Sequence, residues 1–271
     1  MPQPQTGNRW KPTLAIQASL ALHAGAVLVL IARPHLWPWV LGAVVADHLL
    51  LVAAGLWPRS KLLGPNWTHL PGAAAAAGAV AITIDDGPDP GITPRVLDLL
   101  DEHRAKVTFF CIGERVERYS DLAREIVSRG HSIENHSQHH FHRFSVLGPA
   151  AMAAEIERAQ NTIEAVTGQR PRFFRAPAGL RSPFLEPVLA RLGLQLASWT
   201  RRGFDTVNPN AGVVYERLTL GLRGGDILLL HDGHAACTAS GTPVIIEVLP
   251  RLLQAVSAAR LTPITLRSAL T

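Results

Sequence analysis

Charged residues are scarce in this sequence. Asp, Glu, Lys and Arg make up 17% of the 271 residues, whereas about 25% is usual in soluble domains. A chain with so few charges is expected to keep part of its surface out of water. Its formal net charge is nevertheless +5, which favours anionic partners such as phospholipid headgroups or sugars on lipid phosphate. No nucleic-acid-binding module is recognisable, so we expect no nucleic-acid partner.

Cysteine is also rare, with only Cys111 and Cys237 in the chain. Two cysteines cannot form a disulfide framework, although they can form a single bridge. Cys111 lies in an apolar run typical of a strand, where a buried free thiol is the commoner state. The cysteines therefore exclude a disulfide-stabilised scaffold and say little about the compartment.

Two long apolar runs lie near the N-terminus, at residues 13–32 and 36–56. Each has about 20 residues, which at about 1.5 Å per residue spans a hydrocarbon core of about 30 Å. Tryptophans flank the runs as in the aromatic belts of membrane interfaces, and they are Trp10, Trp37, Trp39 and Trp57. We predict two transmembrane helices that contact membrane lipid, and hence a multi-pass protein of the cell membrane.

Two other interpretations of these runs stay open, a buried helical hairpin of a soluble protein and a cleaved signal peptide. The length of the first run and the presence of a second disfavour the signal peptide. Asp47 and His48 lie inside the second run, and ionisable groups at that depth are functional candidates by default. Pairing with His23 of the first helix, or contact with water, is the more ordinary explanation.

A segment containing Pro, Gly and an alanine run separates the apolar runs from the rest of the chain. We predict an anchor at residues 1–61, a linker at 62–78 and one domain at 79–271. In that domain short apolar runs alternate with amphipathic stretches, which predicts parallel strands joined by helices. Seven strands indicate an α/β barrel or a doubly wound sheet. They are predicted at residues 80–84, 107–112, 132–134, 172–175, 194–199, 227–230 and 263–266.

Polar side chains follow several predicted strands, at the edge where sites form in parallel sheets. Asp85 and Asp86 follow the first strand. Gly87 and Pro88 bend the chain there, so that both carboxylates can point inward. Taken alone, these four residues are more often an ordinary turn.

Histidines follow the third predicted strand. His136 and His140 are four residues apart, a spacing at which one helical turn places both on one face. Such a pair can bind a metal ion, although a surface histidine cluster is an equally good explanation. His139 and His142 leave the choice of ligands open. The later strands lead into residues 175–179, into Arg202 and Asp205, and into His231.

In this order the motifs resemble those of the polysaccharide deacetylase family, also called carbohydrate esterase family 4. The five matching stretches are residues 83–87, 136–140, 175–177, 202–205 and 229–231. Ile84 stands where Phe is commoner in the family, and the fourth stretch is a loose match. The resemblance covers about residues 79–266 and does not include the apolar runs.

The resemblance implies a distorted seven-stranded (β/α) barrel as the catalytic domain. It also implies removal of an acetyl or similar small acyl group from an amino sugar of a polysaccharide, oligosaccharide or lipid-linked glycan. Asp86, His136 and His140 are the implied ligands of a divalent metal. Two imidazoles and one carboxylate suit Zn²⁺, with Co²⁺, Ni²⁺ or Mn²⁺ as alternatives.

Six further residues take implied roles. Asp85 is the general base and Arg175 holds it in place. His231 is the acid that protonates the leaving amine, and Asp205 orients it. The backbone N–H of Ala178 and the metal stabilise the oxyanion, while Leu229 lines the acyl pocket. Ala178 stands where Tyr is frequent in the family, so the oxyanion site is expected to remain and a ring of the cleft to be lost.

Two other functions stay open. One is a catalytically dead sugar-binding module on an anchor, which loss of a metal ligand, of Asp85 or of His231 would mark. None of these residues is lost. The other is a relative that cleaves a different amide, such as a formyl group, a cyclic imide or a peptide-linked substrate.

Basic residues predict on which side of the membrane the catalytic domain lies. The outer ends of the two runs carry Arg9, Lys11, Arg59 and Lys61, and the connection holds Arg33 and the mostly neutral His35. Two spans place both chain ends on one side, and the heavier positive flanks favour the cytoplasm. A cytoplasmic domain cannot reach finished wall polymer. Its expected substrate is then a precursor, such as an acylated amino sugar on a lipid phosphate.

Overall fold

The protein is described here by a computed structural model that covers residues 10–270. Arg9, which entered the prediction of orientation, lies outside the described residues. Both apolar runs are helices, α1 at Leu14–Ala32 and α2 at Trp37–Leu56, joined by a short 3₁₀ turn at Pro34–Leu36. Only 6% and 11% of their most apolar stretches are buried. The helices are long and apolar enough to cross a membrane, and many of their large apolar side chains are exposed.

The ionisable groups inside the hairpin pair with one another. Ser19 Oγ donates a hydrogen bond to Asp47 Oδ2 at 2.7 Å, and His23 Nδ1 lies 3.9 Å from the same oxygen. The rings of His23 and His48 are 5.2 Å apart. Asp47 and His48 thus lie against His23 of the first helix, as the more ordinary explanation of these residues predicted.

The rest of the chain folds around a curled sheet of parallel strands. The strands are β1 Ala79–Asp85, β2 Thr108–Cys111, β3 Ser132–Asn135, β4 Phe173–Phe174, β5 Gln195–Leu196, β6 Arg201–Arg202, β7 Ile227–His231 and β8 Thr262–Pro263. The order is β5-β4-β3-β2-β1-β7-β6, and β8 pairs with the start of β1. Among the described strands β5 and β6 do not pair. The sheet is therefore a curled half-barrel of seven strands rather than a closed barrel, and β6 was not predicted.

Side chains alternate along the central strands β1 and β7, so that the sheet has an outer and an inner face. Ile82 and Ile84 of β1 pack in the cluster that the outer helices cover, as do Leu228 and Leu230 of β7. Leu229 of β7 packs instead in a smaller cluster on the inner face. Because side chains alternate, Asp85 and His231 at the strand ends belong to the inner face. The sequence pattern of β1 and β7 thus directs these two groups to one interior.

Helices cover the outer face and connect the strands, as predicted for parallel strands. They are α3 Gly72–Ala76, α4 Thr93–Glu102, α5 Gly113–Arg118, α6 Ser120–Ser128, α7 Pro149–Thr167, α8 Leu185–Leu192, α9 Ala211–Thr219 and α10 Val244–Ala258. Helices α5 and α6 are separated by a break at Tyr119, where φ is −119° and ψ is 51°. Cys111 is buried in β2 as a free thiol, as predicted.

Residues 62–78, predicted to be a linker, pack against the sheet instead. Trp67 N donates to Leu196 O at 2.9 Å, and Leu70 N donates to Gly225 O at 2.8 Å. The Trp67 ring packs edge-on against Phe173, with 5.1 Å between the ring centroids. The segment thus connects β5 to the residues that precede β7, near the opening of the half-barrel. Its Pro, Gly and Ala content predicted a flexible segment. Backbone hydrogen bonds and the packing of the Trp67 ring instead hold the segment against the sheet.

The end of α2 is fixed to the loop that follows β4. Arg181 N donates to Gly55 O at 3.1 Å, and Arg181 Nη2 donates to Ser60 O at 2.7 Å. A Cβ atom on Gly55 would lie 2.2 Å from Arg181 O, so only glycine permits this approach. The end of α2 and the loop after β4 therefore meet directly.

Candidate active site

Two neighbouring strands bring the first two functional groups together. Asp85 and His231 are register partners on β1 and β7, and both are buried. Asp86 adopts φ 73°, which takes its side chain out of the strand alternation, so that both carboxylates enter the same interior. The bend predicted at Gly87 and Pro88 thus begins one residue earlier, at Asp86 itself.

The candidate metal ligands lie next to this pair. Asp86 Oδ1 is 3.2 Å from His136 Nε2 and 3.3 Å from His140 Nε2, and the three ligand atoms lie within 4.8 Å of one another. The histidines are not on one helical turn as predicted, because the chain after β3 is a loop. Ser137 and His140 take left-handed φ values of 63° and 52°, and this loop folds the second histidine back toward the first.

The protonation of His136 indicates what these ligands can hold. His136 Nδ1 lies 2.8 Å from Arg175 O, and a carbonyl can only accept, so the neutral ring carries its proton on Nδ1. Its Nε2 lone pair then faces the buried Asp86 Oδ1, which accepts no hydrogen bond. Burial lowers the pKa of His140 to about 4, so the ring of His140 is neutral at pH 7. Two imidazole lone pairs and a carboxylate oxygen fit a divalent cation, and this donor set suits Zn²⁺.

The neighbouring histidines are placed differently. His139 Nδ1 lies 2.7 Å from Glu155 Oε1, and its backbone N–H donates to Glu155 Oε2 at 3.1 Å. His142 is exposed, with its ring 6.5 Å from that of His140. Of these four histidines, His136 and His140 are the two that lie with Asp86 in a group able to hold a metal ion.

Arg175 is fully buried and holds Asp85. Arg175 Nη1 donates to Asp85 Oδ1 at 2.6 Å and to Thr83 Oγ1 at 2.7 Å. The guanidinium also lies 4.1 Å from the centroid of the Phe110 ring. These contacts fix the carboxylate so that Asp85 Oδ2 lies 3.9 Å from His136 Nε2, beside the candidate metal ligands.

His231 forms a dyad with Asp205, which is fully buried. His231 Nδ1 lies 2.9 Å from Asp205 Oδ1, and His231 N donates to Asp205 Oδ2 at 2.7 Å. Burial lowers the pKa of His231, but the hydrogen bond and the negative charge of Asp205 outweigh it, so the pKa is raised. His231 is therefore suited to donate a proton from Nε2.

A single cavity of about 700 Å³ joins these groups. Its lining includes Asp85, Asp86, His136, His140, Ala178, Leu229 and His231. Arg175 and Asp205 lie behind it and contact the lining residues. Ala178 has a left-handed φ of 54° and an exposed side, so its small side chain leaves the cleft open. All nine residues singled out from the sequence thus lie at or directly behind one cavity.

Two groups at the site were missed. Asp232 is fully buried, accepts hydrogen bonds from Thr93 Oγ1 and Gly233 N, and burial raises its pKa to about 7. His234 Nδ1 lies 3.5 Å from Asp86 Oδ2. Asp232 directly follows His231 at the end of an apolar strand. This position could have identified Asp232 as a candidate from the sequence. His234 lies beyond the strand end and gives no such signal.

Comparisons with known proteins show to which family the chain belongs. Residues 73–197 match the family described as polysaccharide deacetylase. The chain is similar to a peptidoglycan-N-acetylglucosamine deacetylase of Bacillus cereus, with 35% identity over 164 residues, or 57% of this chain and 72% of that protein. It is equally similar to a chitooligosaccharide deacetylase of a Bradyrhizobium species, with 35% identity over 164 residues, or 60% of this chain and 74% of that protein.

Solved structures share the fold. A family 4 carbohydrate esterase from Streptomyces lividans, in complex with acetate, superimposes with a TM-score of 0.62 and 30% identity. The match covers 69% of this chain and 91% of that one. The sequence identity extends the likeness beyond the fold alone.

Proposed function

The chain belongs to the polysaccharide deacetylase family, and from this premise we propose that it is a metal-dependent amide hydrolase that removes an acetyl group from an amino sugar. One observation carries the proposal. Asp85 and His231, a base and an acid, flank the Asp86, His136 and His140 set in one cavity. That arrangement supplies each group that hydrolysis of an unactivated amide needs.

The three ligands would hold a divalent cation, most simply Zn²⁺, with Co²⁺, Ni²⁺ or Mn²⁺ as alternatives. When bound, the cation supplies Lewis-acid chemistry by polarising the acyl oxygen and acidifying a water molecule. Asp85 accepts the proton of the attacking water, and Arg175 holds that carboxylate in place. The backbone N–H of Ala178 donates to the developing oxyanion. Leu229 lines the space for the acyl methyl.

His231 completes the reaction on the other side of the cavity. The amine is a poor leaving group unless it is protonated as the C–N bond breaks. His231 Nε2–H donates that proton, and Asp205 keeps the ring oriented and charged through its contact at 2.9 Å. The products are the free carboxylic acid and the amino sugar.

The Asp205→Asn variant is expected to shift the alkaline limb of the pH profile of kcat/KM to lower pH. Activity requires protonated His231, and it falls as pH rises through the pKa of that group. Asp205 raises this pKa, so removing its charge lowers it. Rates measured from pH 5 to 10 test this. An unchanged alkaline limb would contradict the role of Asp205.

A panel of acylated amino sugars tests the function itself. Release of acid from N-acetylated chitooligosaccharides, peptidoglycan fragments and lipid-linked amino sugars would be followed beside N-formyl and cyclic-imide analogues. We expect hydrolysis of an N-acetyl substrate. Binding of these sugars without any release would instead support the catalytically dead sugar-binding module. Release confined to another amide would require a different substrate class.

We further propose that α1 and α2 form a membrane anchor. Their length, composition and exposed apolar surface support this. Lys11, Arg59 and Lys61 flank the hairpin on the side of the catalytic domain and favour the cytoplasm. C-terminal reporters that are active only in the cytoplasm or only after export test the orientation. Activity of the exported reporter would overturn it and make cell-wall or secreted polysaccharide the expected substrate.

A further inference from the structure

A second cavity connects the anchor to the active site. It has a volume of about 740 Å³ and shares Ala178, Trp199 and Arg202 with the active-site cavity. Leu56, the last residue of α2, lines its other end together with Trp57. We call this second cavity the cationic groove. A ligand in it would extend from the end of the anchor to the residue implied in oxyanion binding.

Arginine dominates the charge of the cationic groove. Arg59, Arg201, Arg202 and Arg217 line it, and no acidic residue is among the lining residues. Arg201 is already neutralised, because Arg201 Nε lies 2.7 Å from Asp226 Oδ2. Within residues 10–270 the other three arginines form no ion pair with a carboxylate. Three guanidinium groups thus remain available to an anion.

Two of these guanidinium groups are held on one ring. The Arg202 and Arg217 guanidinium carbons lie 4.9 Å and 5.4 Å from the centroid of the Phe204 ring. Arg202 Nε is buried and has no hydrogen-bond partner, an arrangement that is unfavourable unless a ligand accepts from it. Arginine forks match phosphate oxygens with paired hydrogen bonds. The groove is therefore suited to a phosphate or diphosphate.

Exposed apolar side chains also line the groove. Trp57 is 61% exposed and Leu220 is 74% exposed, and both line the groove. An apolar chain attached to the bound phosphate can leave along these residues toward the surface of α2. A free sugar polymer has neither the charge nor the chain that this surface matches.

We propose that the substrate is an N-acyl amino sugar linked through phosphate or diphosphate to a lipid. Its phosphate binds Arg202, Arg217 and Arg59, its lipid chain leaves beside α2, and its sugar enters the active-site cavity. This assignment rests on the proposed deacetylase function. A nucleotide-linked sugar offers the same phosphate chemistry without the lipid, so the test includes both.

The full-length protein in lipid nanodiscs would be assayed with three substrates that share N-acetylglucosamine. One is linked through diphosphate to a polyprenol, one is linked to uridine diphosphate, and one is a neutral chitooligosaccharide. We expect kcat/KM to be highest for the polyprenyl substrate. In Arg217→Gln its KM rises about tenfold, as loss of a charge-assisted hydrogen bond predicts. The ratio of kcat/KM for this substrate to that for the neutral one falls by the same factor.

Arg251→Gln is the matched control. Arg251 also lies on an aromatic ring, 4.3 Å from the centroid of Tyr215, but outside the groove, so the substrate ratio should stay at the wild-type value. Equal use of neutral and polyprenyl substrates, or an unchanged ratio in Arg217→Gln, would overturn the phosphate assignment. Preference for the uridine diphosphate sugar would contradict the proposal that the substrate carries a lipid. No hydrolysis of any of the three by the wild type would contradict the deacetylase function itself.

Discussion

The Asp85→Asn variant is expected to lose amide hydrolysis by about 10²–10⁴-fold, the range typical of a general base, while it retains its metal. Asparagine has the shape of aspartate but cannot accept the proton of the attacking water. The candidate metal ligands are Asp86, His136 and His140, so metal content should stay at the wild-type level. Acetate release at saturating substrate, with metal analysis of the same samples, measures both.

Asp98→Asn provides a matched control for this variant. Asp98 lies in α4 and pairs with Arg129 at 2.8 Å, and neither residue lines the active-site cavity. It should keep wild-type turnover. Asp85→Asn removes the charged partner of buried Arg175, so the melting temperature of each variant is compared with that of the wild type. Wild-type turnover by a folded Asp85→Asn protein would show that another group is the base.

The His231→Ala variant is expected to slow amide hydrolysis by about 10²–10⁴-fold and hydrolysis of an activated acetate ester far less. An amine must be protonated as it leaves, whereas the phenolate of an activated ester leaves without a proton. The two substrates tested on the same protein sample provide an internal control for folding and metal content. Equal losses on amide and ester would place His231 in binding or metal retention rather than in proton donation.

Much of the site was predictable because it lies at strand ends. The apolar runs predict where the strands lie. Because side chains alternate along a strand, the runs also predict the face of the sheet on which Asp85 and His231 lie. The resemblance that these motifs suggested is confirmed by 35% identity to known deacetylases. The contact of Asp205 with His231 was implied only by the resemblance, because no local rule connects residues 26 positions apart.

Other features depend on tertiary contacts that a local pattern does not encode. The helical turn predicted for His136 and His140 was wrong, because Ser137 and His140 adopt left-handed backbone conformations, which are uncommon for residues other than glycine. Trp67, in the predicted linker, donates its backbone N–H to Leu196 O of β5, a contact between distant parts of the chain that composition does not predict. The opening of the half-barrel lies between β5 and β6. Each of these strands has only two residues, which is too short for a periodic pattern of apolar residues to predict it.

The two N-terminal helices also combine a feature that the sequence predicts with one that it does not. The helices themselves follow from composition and length alone. Their attachment to the loop after β4 depends on the close approach of Gly55 to Arg181 O, which the sequence does not reveal. The cationic groove that results lies between two segments that looked unrelated in the sequence.

Removal and restoration of the metal tests the central claim most directly. The purified wild-type protein would be stripped with a chelator, and its metal content and its rate of acetate release from an N-acetylated amino sugar would be measured together. Activity should be lost with the metal and return in proportion to added Zn²⁺ or Co²⁺, up to one ion per Asp86, His136 and His140 set. Full activity in the metal-free protein would contradict the account.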